Sequence, residues 1–202
     1  FELEGYDKYL ELCHGDSGFI ILSCHVGNYE LAGYTFKATE KRYNALVFPG
    51  EAKAVMENRN RVLSENNIHM IPMSEDMSHI FLINDALASG EIVSIPGDRI
   101  FGSPRYVECD FMGSRARFPL GPYMMALQRE VPTIATFVMK ESAYRYQVYI
   151  RRIQTDDHQF ANRTEQAANL AQHFASEIEA ILKQYPEQWF NYYEFWNHDA
   201  GQ

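Results

Sequence analysis

The chain has 202 residues, 46% of them apolar and 22% charged, with a net charge of −9 from 27 acidic and 18 basic side chains. These values fit a folded domain that buries a real core and exclude a disordered chain. They also argue against a general nucleic-acid binder, which needs excess Lys and Arg to meet phosphates.

In chain order, residues 2–14 (ELEGYDKYLELCH) read as a helix, and the GDSG at 15–18 as a turn. Residues 18–24 (GFIILSC) form a short apolar, β-branched run, the mark of a buried strand. A loop follows at His25-Val26-Gly27, and Asn28 is placed to cap a helix with Leu31, Tyr34 and Ala38 on its apolar face. Strands are expected at 43–48, 68–72 and 92–96, with helices at 51–66 and 76–88 between them. Residues 106–112 alternate and read as an edge strand; 122–129 read as a short helix, and 132–140 and 144–153 as two further strands. Residues 162–184 form a long amphipathic helix with Ala168, Leu170, Ala171, Phe174, Ile178, Ile181 and Leu182 on one side.

Strands alternating with helices imply an α/β fold: a mixed, largely parallel central sheet flanked by helices, with an antiparallel pair after Pro132. No repeat or linker divides the chain, so residues 1–202 are expected to form a single domain. No uninterrupted apolar run approaches the roughly 18–20 residues of a membrane span, and no signal-peptide pattern is visible. The three cysteines, Cys13, Cys24 and Cys109, do not make a disulfide framework, and a reducing compartment is expected. The Cys-His pairs at 13–14 and 24–25 lack a CxxC or HxxxH companion, so no metal is expected.

In a parallel sheet, sites lie beyond the carboxyl ends of strands. This directs attention to His25-Val26-Gly27-Asn28-Tyr29-Glu30, directly after the first buried strand. Gly27 permits a tight bend, and Glu30 falls in a first helical turn, where a carboxylate is favoured. A carboxylate bonded to one ring nitrogen of His25 leaves the other free as a base. There is no GxSxG elbow, Walker A loop or GxGxxG, and Cys24 points away from His25 if both continue the strand. The pair therefore fits direct acyl transfer to a hydroxyl without a covalent acyl-enzyme.

These residues resemble the H-x4-D/E block of the glycerolipid acyltransferase superfamily, and more narrowly the branch of late lipid A acyltransferases (lauroyl and myristoyl transferases). Three further blocks match in order: IPGDRIFG at 95–102, DFMGSRARFPLGPYMMAL at 110–127 and YPEQWFNYYEFW at 185–196. The resemblance implies a glycerolipid acyltransferase-like fold, His25 as general base and Glu30 as its partner. It also implies an acyl thioester of acyl carrier protein or coenzyme A as donor, a lipid hydroxyl as acceptor, and no cofactor. An N-terminal membrane segment usual in the family is expected to be missing, and the expected setting is peripheral contact with the cytoplasmic face of a bacterial inner membrane. The Asp98-Arg99 block is closer to members acting on aryl-polyene or flexirubin-type lipids, which keeps that acceptor open, as well as a non-catalytic lipid-binding module and a thioesterase-like hydrolase.

Asp98 either assists His25, pairs with an arginine, or simply forms a turn after Pro96-Gly97. Glu108 is a weaker candidate for the same role. The Gly27 and Asn28 amides are candidate donors to a tetrahedral oxyanion. Arg99, Arg115 and Arg117, in a stretch without lysine, and Arg61, which resembles a family arginine, are candidates for an anionic substrate. Arg99 and at least one of Arg115 and Arg117 are expected on the His25 side. Met124 and Met125, and the aromatic run at 189–196, are expected to pack in the core rather than line an acyl groove or a membrane belt.

Overall fold

The computed structural model describes residues 1–29, 31, 41–48, 68–74, 76–100, 105–192, 195 and 196. Nine strands are found among them: β1 (Glu2–Glu4), β2 (Phe19–Ser23), β3 (Tyr43–Val47), β4 (Ile68–Pro72), β5 (Ile92–Pro96), β6 (Tyr106–Phe111), β7 (Ser114–Pro119), β8 (Thr133–Lys140) and β9 (Tyr146–Ile153). The described α-helices are α1 (Tyr6–His14), α2 (Ser78–Ala88), α3 (Leu120–Arg129) and α4 (Arg163–Gln184), and a 3-10 turn spans Pro186–Gln188. The helix expected at 51–66, and the body of the one expected after Asn28, lie outside the described residues.

Seven strands form one sheet in the order β1-β9-β8-β2-β5-β3-β4. β8, β2, β5, β3 and β4 run parallel, β9 returns antiparallel to β8, and β1 pairs parallel to β9. This is the expected mixed, largely parallel sheet. The central strands are apolar on both faces because both are covered. In β2, Ile20 and Leu22 join the core beneath α2, α3 and α4, while Phe19 and Ile21 pack with Tyr9 of α1 on the other face. All four are fully buried, and each such side chain contributes about 1.5–3 kcal/mol of burial.

Two elements differ from expectation. Glu2–Glu4 is a strand rather than the start of the helix. Gly5, at φ 79°, ends it, and a Cβ there would lie 2.5 Å from the Ile150 carbonyl, so only glycine lets the chain pass so close to β9 before α1 begins. The segment at 106–112 is not an edge of the main sheet. It pairs with β7, which the sequence reading missed, in a separate hairpin. Met112 and Gly113 turn it with φ of 51° and 80°, the two-residue turn whose twist suits a hairpin. Its inner face (Val107, Cys109, Phe111, Ala116, Phe118) is buried. α4 is capped by Asn162, whose side chain accepts from the Glu165 amide at 2.9 Å. It buries Leu170, Ala171, Phe174, Ile178, Ile181 and Leu182 as the pattern required, together with Ala167 and Ala175.

Candidate active site

The order of the strands creates the site. From β2 the chain moves to β3 on one side of β5, and from β5 it crosses to β8 on the other side of β2. Such a reversal leaves a crevice at the carboxyl ends of the two adjacent strands. β2 and β5 are in parallel register, with Ser23 opposite Pro96. Two residues beyond that pair stand His25 and Asp98, brought together from 73 positions apart.

Asp98 is 4% exposed and grips His25 twice. Its Oδ2 accepts the His25 main-chain N–H at 2.8 Å, and both carboxylate oxygens lie 3.0 Å from His25 Nδ1. This arrangement fixes the tautomer with the proton on Nδ1, donated to the carboxylate, and the lone pair on Nε2. Nε2 makes no hydrogen bond among the described residues, and the imidazole is 24% exposed. The imidazole is thereby oriented, an arrangement chemically suited to general-base catalysis. Of the partners open to Asp98, the structure shows a hydrogen bond to His25. Glu30, the expected partner, lies outside the described residues, as does Arg61.

Asp98 is itself supported from below. The buried Tyr123 of α3 donates its hydroxyl to the Gly97 carbonyl at 2.6 Å. A Cβ at Gly97 would lie 2.9 Å from the Phe174 ring, so the turn needs glycine for its close packing. Tyr123 is thus a supporting group that sequence reading did not single out. Met124 and Met125 beside it pack against the core, as expected.

The loop after His25 is held from two sides. Gly27 adopts φ 67° and bridges to Val138 of β8, while Val26 bridges to Trp189. The Gly27 amide donates to the Gln188 carbonyl and the Asn28 amide to the Val138 carbonyl, both at 2.8 Å. The two amides considered for an oxyanion are therefore already committed to main-chain carbonyls. They follow an inserted strand-like segment rather than an open helix start. Gly27 and Asn28 instead line a cleft of about 530 Å³, together with Tyr29, Lys140, Tyr146 and Phe190. The Tyr29 ring meets the His25 ring edge-on at 5.4 Å. A second cleft, of about 340 Å³, lies at the other end of β8 around Thr133, Arg152 and Arg163, away from His25.

The arginines separate. Arg99 follows Asp98 and donates to the Phe190 carbonyl at 2.6 Å, while the Phe190 amide donates to the His25 carbonyl at 2.9 Å. Arg99 is therefore on the His25 side and braces it. Arg115 and Arg117 occupy the outer face of β7, because their neighbours Ala116 and Phe118 take the inner one. Arg115 pairs with Asp110 at 3.1 Å and Glu108 at 3.8 Å, and the hydrogen bond it donates to the Asp110 carboxylate raises its pKa. Arg117 lies over the Tyr106 ring at 4.2 Å. Among the described residues their partners are the hairpin's own Asp110, Glu108 and Tyr106, and neither arginine forms a hydrogen bond or ion pair with His25. Glu108 faces outward with them.

Burial, reinforced by the nearby Asp98 carboxylate, pushes the Cys24 thiol well above its ordinary pKa, and the side chain is 3% exposed. It is a core group, not a nucleophile. The aromatic run near the C-terminus packs only in part: Trp189, Phe195 and Trp196 surround Phe111 at the hairpin end, with ring centroids 5.5–6.2 Å away, whereas Phe190 and Tyr192 are exposed. No helix among the described residues is long and apolar enough to cross a membrane.

The profile of the bacterial lipid A biosynthesis acyltransferase family matches residues 1–197. Among curated proteins, none matches the chain.

Proposed function

Because the chain belongs to the bacterial lipid A biosynthesis acyltransferase family, we propose that it moves a fatty acyl group from an acyl thioester to a lipid hydroxyl, with His25 as general base. The observation that carries this reading is the bond from His25 Nδ1 to the buried Asp98, which leaves Nε2 unengaged among the described residues. The acceptor hydroxyl gives its proton to Nε2 as its oxygen attacks the thioester carbonyl. Asp98 stabilises the imidazolium that forms. The tetrahedral intermediate then expels a thiolate, which takes up the proton and leaves as a thiol. A thiolate leaves readily without a Lewis acid, so the step needs no metal or cofactor. Direct transfer is also favoured by the state of Cys24, the residue before His25, whose thiol is buried with its pKa raised and so is not available for attack.

The donor is proposed to be carried by acyl carrier protein or coenzyme A, and the acceptor to be a lipid A-type lipid. The reaction is proposed to occur at the cytoplasmic face of the inner membrane, by peripheral contact. Supporting that contact, Tyr29, Phe190 and Tyr192 are exposed in or near the loops that flank His25, and such side chains suit a membrane interface. The test is His25→Ala, assayed for transfer of a radiolabelled acyl group from the thioester to alkali-de-O-acylated lipid A in mixed micelles. Loss of one positioned base costs about 10²–10⁴ in rate. A folded His25→Ala protein with the wild-type rate would overturn the reading.

A further inference from the structure

We propose that Gln188 is a positioning residue for His25. It ties the exposed edge of β8 to the histidine loop through its side chain and main chain together, and so fixes the aim and tautomer of the imidazole. The proposal rests on the reading of His25 as the base.

β2 pairs with β8 only as far as Leu22 and Ala135. Beyond that point the edge of β8 has no regular strand beside it, and its main-chain groups need other partners. Gly27 and Asn28 take the place at Val138. At Lys140 the place is taken by a side chain. Gln188 Oε1 accepts the Lys140 N–H at 2.9 Å, and Nε2 donates to the Lys140 carbonyl, also at 2.9 Å. The carboxamide thus acts as one more peptide unit on the sheet edge, which requires an acceptor and a donor on the same group.

The main chain of the same residue holds the other side. The Gln188 carbonyl accepts the Gly27 N–H at 2.8 Å, and two residues on the Phe190 N–H reaches the His25 carbonyl at 2.9 Å. Arg99 steadies that segment through the Phe190 carbonyl. Residues 25–28 are therefore enclosed between β8 and residues 188–190, and Gln188 is the residue that joins the two walls. Asp98 aligns the ring against β5, and Gln188 aligns the loop against β8. Only with both in place does Nε2 hold one position.

Gln188→Glu keeps the size but removes the donor and sets a carboxylate oxygen against the Lys140 carbonyl. Gln188→Met removes both bonds without adding charge. Gln188 is half-buried, and a melting curve checks that each variant is folded. A misplacement of about 1 Å costs about 10²-fold in rate, so kcat should fall about 10–100-fold in each, with KM within about threefold of wild type. In protein labelled with ¹⁵N-histidine, the His25 ring, assigned by its loss in His25→Ala, should show one Nδ1–H tautomer in the wild type and an averaged or mixed signal in both variants. Unchanged kcat and unchanged ring signals would overturn the proposal. So would a raised KM with the ring signal intact, which would make Gln188 a substrate contact. If His25→Ala retained transfer, the base reading would fall, yet the ring signals would still report whether Gln188 orders the loop.

Discussion

Asp98→Asn isolates the tautomer from the geometry. The amide matches the carboxylate in size and fits the same buried turn, with Tyr123 and Gly97 undisturbed. The carbonyl oxygen of the amide is drawn to the His25 main-chain N–H, which the carboxylate now meets at 2.8 Å. The amide nitrogen then faces Nδ1, where the carboxylate now stands at 3.0 Å. An N–H donor there demands a lone pair on Nδ1 and moves the ring proton to Nε2. The imidazole is held in place but cannot accept a proton from the acceptor. A histidine locked in the wrong tautomer loses up to about 10⁴ in rate in enzymes with an analogous His–Asp pair, and a general base contributes about 10²–10⁴. We expect kcat to fall by about 10³, with KM within about threefold. Two charge-assisted hydrogen bonds, of about 1.5–3 kcal/mol each, give way to two ordinary ones of about 1 kcal/mol each. The net loss of about 2 kcal/mol should lower Tm by about 4–8 °C for a chain of this size. Single-turnover acyl transfer measures the rate, and ¹⁵N-histidine spectra read the tautomer directly. A folded Asp98→Asn protein with an Nε2–H ring and a wild-type single-turnover rate would refute the reasoning, because the base would then act with no free lone pair at Nε2.

Two further outcomes concern the frame around the site. Gly27→Ala places a Cβ 2.3 Å from the Val138 carbonyl oxygen and 2.7 Å from Met139 Sδ at φ 67°; strain of about 1–3 kcal/mol from the backbone alone should lower Tm by at least about 2–4 °C, and a melting curve indistinguishable from wild type would mean the loop is not so enclosed. Burial pushes Cys109 up to about 12 from 9.0, so between those values the unfolded chain releases its thiol proton while the folded chain keeps it. Stability is then intact below pH 9 and falls by about 1.4 kcal/mol per pH unit for this thiol as pH rises. Urea midpoints measured at pH 8 and pH 10.5 should therefore move less in Cys109→Ala than in the wild type, and equal movement would count against a buried neutral thiol.

The local pattern carried most of the fold. β2, β5 and β8 are apolar and β-branched, and the helical periodicity of residues 163–184 needs one buried face, whatever surrounds it. The hairpin was harder to read. Alternating Arg115, Ala116, Arg117 and Phe118 is a strand signal, but Met112-Gly113 is not a common turn pair, and a six-residue strand beside a helix start is easily absorbed into a loop. Likewise β1 is charged and short, and only its pairing with β9 makes it a strand.

For the site, the sequence by itself determined that a histidine on a strand-to-helix turn was the group to watch, while the segments at 95–102 and 185–196 entered only as blocks of the family resemblance. It favoured a role for Asp98 over a mere turn, but did not decide whether that carboxylate meets His25 or an arginine, since that depends on β5 inserting beside β2 in register. Nor could it tell that Arg115 and Arg117 face acids and a tyrosine while Arg99 faces the loop, because side-chain direction follows from pairing and packing. Periodicity is a local property and survives in the bare sequence. Which two strand ends stand side by side depends on burial and hydrogen bonding across the whole chain, and only the tertiary structure decided that Asp98 meets His25 and that Gln188 meets the loop at Gly27.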